Sequence, residues 1–172
     1  MAKQIRTYLF CYDDHRGFSE DVRKRFTDDT RYTVASFPDS DEFITHLEAE
    51  KERTSCKIAI LGAHDTAEQY ELIDRMTLDI KRIDPKTGII ILGPPEKMDE
   101  IKKIIKFNID AYIPKNTNAI LRLHNIVKKL ISEYNIGIFR KRRNFSFYTL
   151  MAFLVLSALL ILLAWFRLPQ YF

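Results

Sequence analysis

At 172 residues, 47% of them apolar and 12% aromatic, the chain can bury the core of one ordinary domain and still carry an appendage, which excludes intrinsic disorder. Its net charge of +4 does not mark a nucleic-acid binder. Residues 1–139 hold 22 Lys and Arg against 23 Asp and Glu, and the basic surplus is Arg140, Lys141, Arg142, Arg143 and Arg167. Four of these are consecutive and abut an apolar run, the pattern of a membrane flank rather than a phosphate-reading surface.

The first element is a strand at 7–12, "TYLFCY", which runs into the acid pair Asp13 and Asp14. Phe18, Val22 and Phe26 share one helical face after it, and a second strand follows at 32–37. Phe43, Ile44 and Leu47 mark the second helix, and "KIAILG" at 57–62 the third strand. Asp65 with Glu68 three positions on reads as a capping pair opening a third helix, whose inner face is Tyr70, Ile73, Met76, Thr77 and Ile80. In this reading His64 is a loop or helix-entry residue. "GIIILG" at 88–93 is the fourth strand; Met98, Ile101, Ile104 and Ile105 belong to the fourth helix. "DAYIP" at 110–114 is the fifth strand, and Ile120, Leu123, Val127, Leu130, Ile131 and Tyr134 line the fifth helix. Such alternation predicts a doubly wound parallel sheet with helices on both faces.

Residues 145–166 contain no charge and, as a helix, span about 33 Å, the thickness of a bilayer's hydrocarbon core. Phe145, Phe147, Tyr148, Trp165 and Phe166 cluster at the two ends, where aromatic rings favour the interface. Four positive residues precede the span and one follows, so the positive-inside rule places residues 1–144 in the cytoplasm. The expected organisation is a domain at 1–134, a basic linker or helix extension at 135–144, a transmembrane helix at 145–166 and a tail at 167–172, in a bacterial inner membrane. Gly137 weakens helix continuity across the linker without forbidding it. No amino-terminal signal peptide is visible. Cys11 and Cys56 lie in apolar contexts without CxxC spacing, as packing thiols of a reducing compartment do, although a bond between adjacent strands stays open.

The acid pair Asp13-Asp14 after the first strand and "YIPK" at the fifth, with Tyr112 and Lys115, resemble the receiver domain of bacterial two-component response regulators. The resemblance covers residues 5 to about 134 and implies strand order 2-1-3-4-5, with the ends of strands one, three, four and five around a single pocket. It also implies a chemistry: an aspartate ending strand three takes a phosphoryl group, a divalent metal held by acids bridges its oxygens, and a hydroxyl after strand four and a lysine after strand five hold the rest. Here Gly62 stands at the nucleophile's place and Gly93 at the hydroxyl's, and the family's proline after the lysine is replaced by Asn116. The loop after strand four moves in an active receiver, whereas Pro94 and Pro95 stiffen it.

The resemblance therefore predicts a non-enzymatic, membrane-tethered pseudo-receiver that binds a protein through its helix 4, strand 5 and helix 5 face, near Lys102, Lys103, Lys106, Lys128 and Lys129. Those lysines suit an acidic partner, anionic headgroups or plain solvation, and tethering favours a homodimer. No cofactor is expected beyond weak Mg²⁺ at Asp13 and Asp14, for which the alternatives are solvated acids or an ion pair with Lys115. A competing reading makes Asp65 a displaced phosphoacceptor. A nucleotide- or flavin-binding enzyme is disfavoured, because "DDHRGFSED" has no glycine-rich phosphate loop and its carboxylates repel phosphate. Association through the span is weakly signalled by Ser157 and Ala158, without GxxxG.

Overall fold

A computed structural model describes residues 6–13, 16–52, 55–64 and 66–167, without the side chains of residues 16, 17, 141, 142, 144 and 164–167. The chain divides into two units, Met1–Ile131 and Ser132–Phe172.

In the first unit β1 (Thr7–Tyr12), β2 (Tyr32–Phe37), β3 (Cys56–Gly62), β4 (Gly88–Gly93) and β5 (Ala111–Pro114) form one parallel sheet of order β2-β1-β3-β4-β5. β3 and β4 are buried along their whole length, as apolar strands covered on both faces must be. The crossovers are α1 (Arg16–Arg25), α2 (Ser40–Ala49), α3 (Ala67–Ile83) and α4 (Met98–Ile104), the last preceded by a 3₁₀ turn at Pro95–Lys97.

One sheet face presents Phe10, Tyr12, Ala59, Leu61, Ile89 and Ile91 to Phe43 and Leu47 of α2, Tyr70, Ile73, Met76 and Ile80 of α3, and Ile101 of α4. The alternate strand residues Leu9, Cys11, Ile58, Ile60 and Ile90 are equally buried. On that side lie Val22 of α1 with Leu123 and Val127 of the last helix, and the Phe26 and His124 rings approach to 5.4 Å. Each fully buried Leu, Ile or Phe contributes about 1.5–3 kcal/mol, so the sheet's two apolar faces dominate stability.

Asp39 caps α2, its side chain accepting the Glu42 amide at 3.2 Å. The N-cap position of α3 is Thr66 rather than Asp65, without a capping hydrogen bond from its side chain, and Glu68 lies in the first turn; Asp65 lies outside the described residues. Cys11 pairs with Ile60 and Cys56 with Thr7, four positions apart on neighbouring strands or about 13 Å, so the two thiols are not bonded.

The last helix, α5, is Ala119–Arg167 and runs without interruption through Gly137, beside which an added methyl would meet nothing within 4 Å. In the second unit it is long and apolar enough to cross a membrane, and its most apolar stretch has no buried residue. Arg140 and Arg143 are exposed on it.

Candidate functional site: a carboxylate held by three loops

Parallel strands deliver their carboxyl ends to one edge of a sheet, and that edge is where ligands of such folds bind. β1 and β3 run in register with Tyr12 opposite Leu61, which brings Asp13, the next residue, beside Gly62. The Asp13 side chain is only 2% exposed. Its Oδ1 lies 2.9 Å from His64 Nε2 and 3.5 Å from Lys115 Nζ. An ionised carboxylate only accepts, so the His64 Nε2 carries the proton and donates, as does the Lys115 ammonium.

Backbone bonds hold these donors in place. The Ala63 amide donates to the Leu92 carbonyl at 2.6 Å, and the His64 amide to Gln69 Oε1 at 2.9 Å, which ties the exit of β3 to β4 and to α3. The Lys115 amide donates to the Gly93 carbonyl at 2.7 Å, which pins the exit of β5 to that of β4. The loops after β1, β3 and β5 therefore converge on one oxygen atom.

Gly62 is what permits this. A Cβ placed there would lie 2.7 Å from Asp13 Oδ1 and 2.9 Å from its Cγ, nearer than such atoms approach. The buried carboxylate thus occupies the space that a side chain at position 62 needs. At Gly93 a Cβ would collide with Ile101 Cδ1, and Ile101 is fully buried, so an α4 side chain fills the place expected of a hydroxyl residue. Tyr112 is half-buried and its hydroxyl donates to the Ile105 carbonyl at the end of α4. Burial first, and the Asp74 carboxylate second, raise its phenol above the usual value.

These residues fit Mg²⁺ poorly. Asp13 Oδ1 already faces two donors, Gly62 supplies no ligand, and no group of three His, Cys, Asp or Glu side chains converges among the described residues. Asp14 and Asp65 lie outside those residues. Sequence reasoning offered an ion pair of Lys115 with one of the two acids, which the structure places at Asp13, and missed the parts played by His64 and Gln69. The available signal was a glycine opposite an acid with a histidine two residues on.

No protein-family model matches the chain, and none of the curated proteins matches it either. Solved structures do. A response-regulator receiver domain from Clostridium thermocellum matches with TM-score 0.58 and 16% identity over 77% of this chain and 98% of that one. A response regulator from Thermotoga maritima matches with TM-score 0.55 and 22% identity, over 74% and 99%. The fold is that of a receiver domain. A third receiver-fold neighbour, the inactive form of the regulatory domain from the repressor of iron transport regulator, matches with TM-score 0.56 and 15% identity over 72% of this chain and 96% of that one.

Proposed function

We propose that this chain is a membrane-tethered pseudo-receiver, a non-catalytic signalling or scaffold module that works through protein contacts. The observation that carries the reading is the Asp13 carboxylate lodged against Gly62, with Lys115 and His64 both turned onto it. A receiver fold supports a two-component signalling role, but phosphoryl transfer needs a nucleophile where this chain has none, and the lysine that would meet a phosphoryl group already meets a carboxylate. The filled Gly93 position and the tied Tyr112 hydroxyl favour a fixed surface over a phosphate-driven one.

The partner-binding face in this reading is α4, β5 and the start of α5. Phe107 and Leu121 are exposed there, 68% and 53%, among Lys102, Lys103, Lys106, Lys128 and Lys129. An acidic protein partner, or a second copy of the chain, would cover it. The apolar half of α5 would anchor the module with Arg140–Arg143 at the cytoplasmic headgroups of a bacterial inner membrane. The reading requires no cofactor.

Incubation of the full chain in membranes with acetyl phosphate and Mg²⁺, followed by intact mass and peptide mapping, tests the central point. The expected result is no phosphoryl increment. An increment mapped to Asp65 would establish the displaced-phosphoacceptor reading instead. Alkaline carbonate extraction tests the anchor, with retention in the pellet expected.

A further inference from the structure

Beside the carboxylate, at the carboxyl ends of β1 and β2, a cleft of about 320 Å³ opens between the sheet and α1, lined by Asp13, Ser19, Glu20, Arg23, Ser36 and Phe37 with Pro38. That is the space of about ten waters and falls at the small end of ligand sites. Three features set it apart from a surface crevice. Its floor is polar and buried: Asp13 and Ser19 are 7% and 8% exposed. The Ser36 hydroxyl, on the strand position paired with Cys11, is shielded from solvent and has no hydrogen-bond partner among the described residues. A buried hydroxyl left so costs about 1–3 kcal/mol, a cost that a ligand group or water removes.

The third feature is charge. Glu20 and Arg23 lie one helical turn apart on α1, a spacing at which opposite charges commonly pair, yet they form no ion pair with each other or with any described side chain. A cation and an anion without a partner among the described residues thus flank one opening, with a hydroxyl at its wall and Pro38 at its rim.

We infer that this cleft binds a small zwitterion of the α-amino-acid class, its carboxylate on Arg23, its ammonium on Glu20 and its side chain against Pro38, with Ser36 hydrogen-bonding a polar atom of the ligand. A guanidinium meets a carboxylate in a two-pronged geometry that a lone ammonium does not offer, which fixes the ligand's direction in the cleft. The site is separate from the α4, β5 and α5 face and does not depend on the scaffold reading. It gives the module a second input, a metabolite rather than a phosphoryl group.

The test is calorimetric titration of the full chain in detergent micelles with each of the twenty free L-amino acids, followed by the decarboxylated amine and the deaminated acid of the tightest binder. Binding of at least one amino acid with Kd below about 1 mM is expected, with both truncated analogues at least tenfold weaker. R23A and E20A each weaken binding at least tenfold with an unchanged circular dichroism spectrum. R23K retains weak binding because it keeps charge and loses the fork. Absence of binding by all twenty overturns the inference, and so does binding that R23A and E20A leave intact.

Discussion

Placing an acid at position 62, Gly62→Asp, is the sharpest test of how the Asp13 cluster is built. The new Cβ would stand 2.7 Å from Asp13 Oδ1, so Asp13 must swing away before the substituted chain can fold. Leaving its place weakens charge-assisted bonds to His64 and Lys115, each worth about 1.5–3 kcal/mol when intact. Two carboxylates about 4 Å apart repel by about 4 kcal/mol at an effective dielectric of 20, and the Lys115 ammonium between them returns part of that. A net destabilisation of about 2–4 kcal/mol follows, within the range reserved for buried charge and overpacking. The assay is urea denaturation of the full chain in micelles, followed by the near-ultraviolet tyrosine signal. Asp13→Ala in the same chain removes both the collision and the like charge, so the double variant should be more stable than Gly62→Asp alone by about 2 kcal/mol, a coupling that independent sites do not show. A Gly62→Asp chain within about 0.5 kcal/mol of the parent would refute the reasoning, because Asp13 could not then be filling that space.

Gly93→Thr should cost about 1–3 kcal/mol through the collision with Ile101, and Ile101→Ala in the same chain should return at least half of the loss; denaturation midpoints of the single and double variants decide it. At the opposite edge of the sheet the Lys57 ammonium, 2% exposed, contacts the Asp84 carboxylate at 2.9 Å and the Lys51 carbonyl at 3.0 Å. Asp84→Ala should therefore destabilise by about 3–5 kcal/mol, and Lys57→Met with Asp84→Ala should recover most of it, as measured by thermal unfolding. Burial alone would raise the Asp84 carboxyl, but hydrogen bonds from Lys57 and the Lys86 amide, with both lysine charges, outweigh it and lower the pKa below 3.8. The stability from Asp84 is thus present above 3.8 and lost as pH falls through the lower folded value, so the parent but not the Lys57→Met, Asp84→Ala chain should lose this increment in acid titrations. Burial, with the Asp13 charge at Cys11, pushes both thiols up to about 12, so neither should react with a disulfide reagent at neutral pH until the chain is unfolded.

The strands were legible because a parallel sheet buried on both faces imposes continuous apolar runs: β1 and β4 begin and end where their runs do, and so does the half-buried edge strand β2. The face of α3 was equally legible, since Tyr70, Ile73, Met76, Thr77 and Ile80 recur at helical spacing and all are buried. The sheet order was not in the periodicity and came from the resemblance alone, because apolar runs of similar length carry no label of their neighbours. Helix entry was harder. Asp65 and Thr66 are both good caps, and chemistry does not choose between adjacent candidates; the observed start of α3 follows Thr66.

The least legible part was the partner set of Asp13, and the reason is physical. Which way a loop side chain turns depends on the strand beside it and on what a neighbouring residue leaves vacant, neither of which is written at the residue itself. His64 reads as a loop residue until β1 and β3 are laid side by side; then Gly62 leaves the space, Asp13 fills it, and Gln69 holds the His64 backbone in reach. Gly62 therefore does more than lack a side chain. It leaves the volume that the Asp13 carboxylate occupies, and that carboxylate engages both His64 and Lys115. An acid placed at position 62 alone cannot leave the cluster as it stands, because the contacts of Asp13 with His64 and Lys115 must be given up first.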